Sequence, residues 1–352
     1  MNTIEPSAGM ITISDAPAIP GLSFRRFRGE SDYLAMVEIV NASNRADGSE
    51  WIETVEKTAN EYAHLTNCDP STDMIFAEVD GRTIGYGRVM WRETTSGERL
   101  YILVGFLQPD WRRRGIGRAI FHWQERRLRE IAADHVADGP RFLEVWTDQT
   151  AYGKEALLTS EGYRPVRYFF EMVRPDLDDI PEAPLPPGME VRPALPEHYR
   201  VIWDAGDEAF RDEWSEWALT ESDYQSWLGS SEFCPDIWKV AWDRATDQVA
   251  GMVLGFIDHE QNETFQRLRG WTENICVRRP WRKRGVARAL IAENLRELKA
   301  RGMTEAALGV DTENPTGALR LYERMGFRPV KRNALYRKPL VADGRSQMAD
   351  CR

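Results

Sequence analysis

The sequence has 352 residues, enough for about two domains of ~150 residues each. It is 42% hydrophobic and 29% charged, as in a typical globular protein, and no segment approaches the ~20 consecutive apolar residues of a membrane span. The first ten residues, MNTIEPSAGM, lack the basic and apolar blocks of a signal peptide. The net charge of −10 disfavours non-specific binding to nucleic acid. We therefore expect a cytoplasmic protein, a monomer or homodimer, with neither a membrane nor a nucleic acid as its partner.

Cysteine and histidine are too scattered to indicate a metal site or a disulfide framework. The four cysteines and five histidines form neither a CxxC pair nor an HExxH motif: Cys68, Cys234, Cys276, Cys351, His64, His122, His135, His198 and His259. The GxSxG, GxxxxGK[ST] and GxGxxG motifs are also absent from the sequence. We predict no bound metal.

The sequence contains an internal repeat. Residues 107–117 read LQPDWRRRGIG and residues 277–287 read VRRPWRKRGVA, so that a tryptophan, two arginines and a glycine coincide. Three further pairs follow in the same order at nearly the same spacing: GLSFRRF (21–27) with GMEVRPA (188–194), IGY (84–86) with AGM (250–252), and EGYRP (161–165) with MGFRP (325–329). This pattern predicts a duplicated domain in which each copy folds as its own unit.

The predicted organisation follows the repeat along the chain. An N-terminal tail (1–20) precedes a first copy (21–173), a proline-rich linker (174–188), a second copy (189–340) and a C-terminal tail (341–352). In the second copy, MEVRPA is predicted as a strand, 196–211 and 220–229 as helices, and IWKVAWD and QVAGMVLGFID as a hairpin. A strand WTENICV (271–277), a helix (287–302), a strand AALGVDT and a helix opened by Pro315 after Asn314 then precede the closing strands. This alternation indicates an α/β fold with a mixed sheet.

The repeated basic segment has the features of a phosphate-binding loop. In each copy a predicted strand ends, a loop with one glycine and several cations follows, and a helix begins. The unpaired N–H groups and positive dipole at a helix N-terminus favour an anion, and Gly285 permits close approach of the backbone. Arg282, Lys283 and Arg284 add positive charge. The alternative is that these basic residues only begin a helix on the solvated surface. The presence of the same pattern in both copies argues against this alternative.

These motifs resemble those of the GNAT acyltransferase superfamily. The pattern V-x-x-P-x-R-x-x-G-x-A/G of its coenzyme A pyrophosphate site stands at 277–287, and N-P-x-x-A-x-x-x-Y-x-x-x-G-F stands at 314–327. The second copy matches both motifs, whereas the first matches only the phosphate motif. The resemblance implies two tandem domains, each a mixed, mostly antiparallel splayed sheet flanked by helices, with acetyl-CoA lying between two parallel strands. Tandem chains of this length include the mycothiol-synthase type, in which the C-terminal copy is catalytic.

The resemblance also implies roles for individual residues. In the second copy the backbone of the splayed strand would pair with pantetheine, the loop would surround the pyrophosphate, and Asn314 would contact the cofactor near the pantetheine arm. The residues concerned are Ile275, Cys276, Val277, Arg282, Lys283, Arg284, Gly285, Val286, Ala287 and Arg288. Their counterparts in the first copy are Leu107, Arg112, Arg113, Arg114, Gly115, Ile116 and Gly117. Tyr322 falls where many members place the acid that protonates the departing thiolate.

The chemistry of thioester aminolysis supports Tyr322 as an acid. A tyrosine with a reference pKa of ~10 is a reasonable proton donor to a thiolate whose conjugate acid lies near ~8.5. The alternative is a packing role, because Ala318, Leu319 and Met325 share a helix face with it. Counted from the shared glycine, Tyr322 corresponds to Leu158 and Asn314 to Thr150. We therefore predict that the second copy is catalytic and that the first binds CoA structurally or not at all.

The general base and the acceptor are less sharply predicted. Glu273 lies on the predicted strand WTENICV, on the same face as Val277, and is the candidate base; the alternative is a solvated or structural glutamate. Carboxylates and aromatics alternate over residues 204–236, which suits a cationic acceptor or, alternatively, an acidic helix pair with a tryptophan core. The predicted function is acetyl transfer from acetyl-CoA to a primary amine of a small molecule. The alternatives are acetylation of a cysteinyl-pseudodisaccharide and a non-catalytic CoA-binding role.

Overall fold

The computed structural model describes residues 9–136 and 138–340, so the predicted C-terminal tail (341–352) lies outside the described residues. The strands are β1 (Met10–Ile11), β2 (Leu22–Arg25), β3 (Met74–Val79), β4 (Arg82–Glu93), β5 (Arg99–Leu107), β6 (Arg141–Asp148), β7 (Arg164–Arg174), β8 (Met189–Arg192), β9 (Lys239–Asp243), β10 (Gln248–Val253), β11 (Arg269–Trp271), β12 (Cys276–Val277), β13 (Glu305–Asp311) and β14 (Arg328–Pro339). The helices are α1 (Tyr33–Asp47), α2 (Val55–Ala63), α3 (Pro70–Asp73), α4 (Ile116–Ala133), α5 (Tyr152–Ser160), α6 (Tyr199–Phe210), α7 (Glu221–Leu228), α8 (His259–Thr264), α9 (Val286–Ala300) and α10 (Ala318–Arg324). None of these helices is both long and apolar enough to cross a membrane.

The strands form two sheets. A ten-stranded sheet has the order β1-β2-β3-β4-β5-β6-β14-β7-β13-β11, and a four-stranded sheet has the order β12-β10-β9-β8. Most neighbouring strands are antiparallel, while β5 with β6 and β11 with β13 are the parallel pairs. The long helices α4 and α9 turn their apolar faces to the sheets, and Leu290, Ile291, Leu295 and Leu298 of α9 are fully buried. The predicted mixed, mostly antiparallel α/β fold is confirmed.

The two copies exchange a strand. In the first copy the chain runs from β6 through α5 to β7, yet β7 pairs with β13 of the second copy. Conversely, β14 of the second copy lies between β6 and β7 and pairs with both. The expectation that each copy folds as its own unit is therefore wrong for the sheet, because the edge of β6 and the edge of β13 are each completed by the other copy. Period-two alternation identifies a strand but does not identify its partner.

The segments that precede each copy pack onto the helix that follows its phosphate loop. Residues 9–20, part of the predicted N-terminal tail, supply β1 and the buried Ile13, which packs with Ile116 and Ile120 of α4. The predicted linker supplies the buried Leu177, and the carbonyl of Pro181 accepts a hydrogen bond from Arg296 of α9. Both segments are thus parts of the fold, since each covers apolar helix surface that would otherwise face water.

Candidate active site

The two phosphate loops have the same backbone conformation. Each begins with a short 3-10 turn, at Pro109–Trp111 and Arg279–Trp281. The loop then enters the left-handed region at Arg113 (φ 60°) and Lys283 (φ 61°), and again at the glycine before the helix. Gly115 (φ 88°) and Gly285 (φ 90°) are therefore required for conformation as well as for space. Because α4 and α9 begin at the next residue, the unpaired first amides of each helix belong to the loop.

The cations of the loops divide into two groups. Arg112 donates to Asp47 at 2.6 Å and Arg282 donates to Asp212 at 2.6 Å, so both guanidinium groups tie their loop to the end of a preceding helix. In contrast, four exposed side chains have no hydrogen-bond acceptor among the described residues: Arg113, Arg114, Lys283 and Arg284. A Cβ built at Gly285 would meet nothing within 4 Å, so the second loop is open to an anion. These free cations and amides fit the pyrophosphate of CoA.

The strands beside each loop are splayed. In the first copy β5 and β6 pair only over residues 99–102 and 141–144, and they diverge beyond. In the second copy β11 pairs with β13 up to Trp271 and Ala307, and the Thr272 amide donates to the Ala307 carbonyl at 2.8 Å as the last link. Further along, β12 pairs with β10 instead. A wedge-shaped gap thus opens between the strands of each copy toward its phosphate loop.

The predicted strand over 271–277 is interrupted. Residues 272–275 lie outside β11 and β12, and Asn274 has a left-handed φ of 47°. The alternation used to place Glu273 on the same face as Val277 therefore does not apply. Ile275 packs against the core of the second copy, Cys276 is buried, and the Val277 carbonyl accepts from Arg282 at 2.8 Å. The interruption frees this backbone from β13 at the point where the gap opens.

Tyr322 lies in α10 at the side of the second gap. It is 5% exposed and packs in the core of the second copy, with Phe327 at a ring-centroid distance of 6.4 Å. Its hydroxyl has no hydrogen-bond partner among the described residues. Burial raises the pKa of Tyr322, and the carboxylates of Glu273 and Glu213 raise it further. The phenol therefore keeps its proton at neutral pH, as a general acid requires.

Asn314 does not cap α10 as predicted. Its Oδ1 accepts from the Thr316 amide at 2.8 Å, and the helix begins only after Gly317, whose φ is 78°. The asparagine forms a local turn that satisfies the Thr316 amide, and the helix begins at Ala318 rather than at Pro315. Its Nδ2 donates to Glu213 Oε1 at 2.9 Å. Asn314 is thereby fixed beside the entrance to the second gap.

Glu273 is held by the backbone of the opposite strand. Its Oε1 accepts from the Gly309 amide of β13 at 2.8 Å, across the opening of the gap. Burial raises the pKa of Glu273 to about 8, and the neighbouring Glu232 carboxylate adds to this rise. A carboxylate with a pKa near the working pH is suited to general base chemistry.

The first copy lacks this arrangement. Leu158 is 0% exposed, lies in an apolar cluster with Leu103 and Val145, and offers no proton. Tyr163 donates to Glu125 at 2.9 Å, while Tyr152 is 71% exposed. The structure thus places an apolar side chain where the second copy has its phenol.

Sequence reasoning missed a cavity of 1610 Å³ that joins the two copies. It begins at the first phosphate loop and the splayed ends of β5 and β6, and it reaches Glu273 and Asn274 of the second copy. Carboxylates from both copies line it: Glu53, Glu61, Glu171, Glu232, Asp258 and Glu273. The cavity could not be predicted from the sequence, because Glu53, Asp258 and Glu273 are brought together only by the packing of one copy on the other.

The acidic and aromatic region predicted as an acceptor site is mainly a packing unit. The rings of Trp227, Phe233 and Trp238 contact one another, with centroid distances of 4.8 to 5.2 Å, and Tyr199 and Trp203 pack beside them. Glu232 is the member of residues 204–236 that reaches the cavity. The aromatic residues interleaved with the carboxylates of this region therefore belong to the core between α6, α7 and the sheet.

Two splayed sheets, each opening onto a phosphate loop at a helix start, define an acyl-CoA-dependent N-acyltransferase. The model of the acetyltransferase (GNAT) family matches residues 36–145 and 201–327, which fall in both copies. The chain belongs to this family and is a tandem GNAT protein, as the repeat predicted.

Relatives cover most of the chain. It is 28% identical over 332 residues to a mycothiol acetyltransferase of Salinispora tropica, covering 93% of this chain and 96% of the relative. A mycothiol acetyltransferase of Thermobifida fusca is 30% identical over 241 residues, covering 65% of this chain and 71% of that protein. A solved GCN5-related N-acetyltransferase from Sphaerobacter thermophilus has a TM-score of 0.66 at 27% identity, covering 90% of this chain and 95% of its own. A tandem GNAT protein from the clavulanic acid biosynthesis pathway shares the fold, with a TM-score of 0.61 at 15% identity, covering 90% of this chain and 98% of its own.

Proposed function

We propose that the second copy transfers the acetyl group of acetyl-CoA to a primary amine of a small-molecule acceptor. The observation that carries this proposal is the protonated, unpartnered phenol of Tyr322 at the second gap, where the first copy has Leu158. Acetyl-CoA supplies an activated acyl group as a thioester. The open loop at Lys283, Arg284 and Gly285 holds its pyrophosphate through charge and unpaired amides.

Two residues at the second gap carry out the proton transfers: Glu273 accepts a proton and Tyr322 donates one. Glu273 accepts a proton from the ammonium or from the attacking amine, directly or through water, because its pKa of about 8 allows both protonation states near neutrality. The Gly309 amide keeps its carboxylate at the gap, since it donates to Oε1 at 2.8 Å. Tyr322 donates its phenolic proton as the sulfur leaves. Binding energy at the phosphate loop fixes the reacting groups and lowers the entropic cost of the transfer.

The first copy serves as a binding domain in this proposal. Its loop has the same backbone conformation and the free cations Arg113 and Arg114, so it is suited to CoA. Leu158 removes the acid, and no other phenol stands at that position. The first copy then holds CoA without transferring its acyl group to the acceptor.

The acceptor enters from the cavity between the copies. The carboxylates of Glu53, Glu232 and Asp258 line the route to Glu273 and favour a cationic amine. The cysteinyl-pseudodisaccharide amine of mycothiol-type chemistry is the specific candidate, since relatives that match most of the chain are mycothiol acetyltransferases.

The decisive experiment compares two tyrosines. Thiol release from acetyl-CoA is measured across a panel of amines that includes the cysteinyl-pseudodisaccharide, with wild type, Tyr322→Phe and Tyr152→Phe. Loss of a general acid predicts a kcat lower by about 10²-fold or more for Tyr322→Phe. Tyr152→Phe, a matched change in the first copy, is expected to match wild type.

Three other outcomes would contradict the proposal. A Tyr322→Phe enzyme as fast as wild type at every pH excludes Tyr322 as the acid. A defect confined to Tyr152→Phe assigns catalysis to the first copy. Binding of CoA without thiol release for any amine favours the non-catalytic role.

A further inference from the structure

Lys154 stands in the gap of the first copy without an ionic partner. It lies in the first turn of α5, and its side chain lines the cavity together with the splayed strands. Among the described residues, no acceptor lies within hydrogen-bond distance of its Nζ. The nearest defined contact is the ring of Phe106 on β5, whose centroid is 5.9 Å from Nζ. Lys154 thus projects from α5 into the cavity on the side of β5.

The position of Lys154 relates it to the reacting end of a bound thioester. Lys154 and Leu158 are four residues apart on one helix face, and side chains so spaced have Cβ atoms about 5–6 Å apart. Leu158 occupies the place that Tyr322 holds in the second copy, beside the departing sulfur. A lysine one turn away has a flexible four-carbon stem and can bring its nitrogen to that point.

The surroundings of Lys154 favour the neutral amine. Burial lowers the pKa of Lys154, although the carboxylates of Asp148 and Asp47 oppose the change. Asp47 is already paired with both terminal nitrogens of Arg112, at 2.6 and 2.9 Å. The ring of Phe106 and the apolar wall at Leu158 complete the environment. A lower pKa leaves a larger share of the amine neutral, and the neutral amine is the form that attacks a thioester.

We propose that Lys154 is a self-acetylation site, at which acetyl-CoA bound in the first copy acetylates the protein itself. This inference rests on the proposed CoA binding of the first copy. The Nζ lone pair attacks the thioester carbonyl, the N–C bond forms and the C–S bond breaks. The sulfur leaves as the CoA thiolate, and the proton lost by the nitrogen neutralises it. No acid at position 158 is required, because a thiolate with a conjugate acid near ~8.5 is an adequate leaving group.

Acetylation would change the first gap in two ways. It removes the positive charge that Lys154 carries in the unmodified protein, and it adds bulk beside Phe106. Both changes act at the position of a cofactor arm, so the modified first copy is expected to bind CoA more weakly. The reaction is therefore a single event per chain, in contrast to turnover at the second copy.

The test is a time course of acetylation without any amine acceptor. Purified Tyr322→Phe protein is incubated with acetyl-CoA, so that the second copy is silenced, and peptides are quantified by mass spectrometry. We expect one acetyl group per chain at Lys154, formed about tenfold faster than at the exposed Lys299, because Lys154 faces the bound thioester whereas Lys299 meets acetyl-CoA only from solution. The rate should not change on dilution, because the reaction is within one chain.

Two variants make the result specific. Lys154→Arg keeps the charge and should lose the modification without loss of folding. Arg113→Glu, which reverses a free cation of the first loop, should slow modification at Lys154 about tenfold while leaving Lys299 unaffected. If Lys154 is acetylated as fast in Arg113→Glu as in its parent, the inference is overturned. The modification would then be ordinary chemical acetylation from solution.

A parallel sample of wild type with an amine acceptor separates the two proposals. Absence of acetyl at Lys154 overturns the inference, whatever the amine assay shows. If the amine is acetylated in the same sample, the proposed function stands without the modification. If Lys154 is acetylated but the amine is not, the proposed function is contradicted, whereas the self-acetylation of Lys154 is supported.

Discussion

At the residue scale, the second site places two protonated groups side by side. Burial raises the pKa of Glu273 to about 8, and burial together with the Glu273 carboxylate raises the pKa of Tyr322. A cationic acceptor in the cavity opposes this effect, because a nearby positive charge stabilises the carboxylate of Glu273. Arrival of the amine and loss of the proton from the base are thereby coupled.

The pH dependence of the reaction follows from the raised pKa of Glu273. A base must be deprotonated, so kcat/KM is expected to rise with pH through a midpoint of about 8 for the free enzyme. Glu273→Gln removes the titrating group and should abolish this limb while lowering the rate. The profile is measured with an acceptor whose amine pKa lies well away from 8. A limb that persists unchanged in Glu273→Gln would assign it to another group.

The motif at 314–327 correctly predicted that Tyr322 lies in a helix that ends just before Gly326, because the motif fixes the spacing between the tyrosine and the glycine. The partner of Glu273 was not predictable, since the Gly309 amide reaches it only where the strands diverge. The break at Asn274 was also unforeseen: a stretch of alternating residues reads as one strand, and a single left-handed residue within it leaves no compositional trace.

At the scale of the elements, the exchanged strands are held by more than backbone hydrogen bonds. Arg337 of β14 is buried against Glu144 of β6, with Nε donating to Oε2 at 2.7 Å. Arg337 also donates to Glu98 at 3.2 Å and lies over the ring of Trp214. This arginine therefore joins the second copy's last strand to the first copy's sheet.

Truncation of Arg337 should be strongly destabilising. Arg337→Ala leaves Glu144 buried without its partner, and we expect the free energy of unfolding to fall by about 3–5 kcal/mol. Arg332→Ala, on an exposed position of the same strand, should change it by less than about 0.5 kcal/mol. Denaturant titration of both variants provides the comparison. Equal, small effects would show that the ion pair contributes little to the exchanged strand.

At the scale of the whole molecule, the two copies share both a sheet and a cavity. The repeat allowed two GNAT units to be predicted, and for the second copy the predicted order of elements was correct except for the missed helix α8 and the division of 271–277 into β11 and β12. The exchange of β7 and β14 was not predictable, since either strand satisfies the edge of β6 or of β13 equally well in its pattern of apolar residues. The cavity follows from the exchange, because the shared sheet fixes how the copies face each other.

Separation of the copies should therefore fail. Residues 1–185 and 186–352, expressed apart, each lack the strand that completes their sheet, and we expect both to be poorly folded by circular dichroism and to aggregate through the open edge. Expressed together, the fragments should assemble and copurify. A lone fragment with a sharp thermal transition like that of the intact chain would show that its own last strand folds back into the vacant place.

The exchange of strands also bears on how such a chain can diverge after duplication. If the first copy is inactive, as proposed, it still cannot be deleted, because β7 leaves with it and β13 of the second copy loses a neighbour. Leu158 is fixed by its burial in the apolar core of the first copy, and loss of the first half would remove part of the sheet of the second. The shared sheet would thus preserve a copy without catalytic activity, and its gap could then acquire another function.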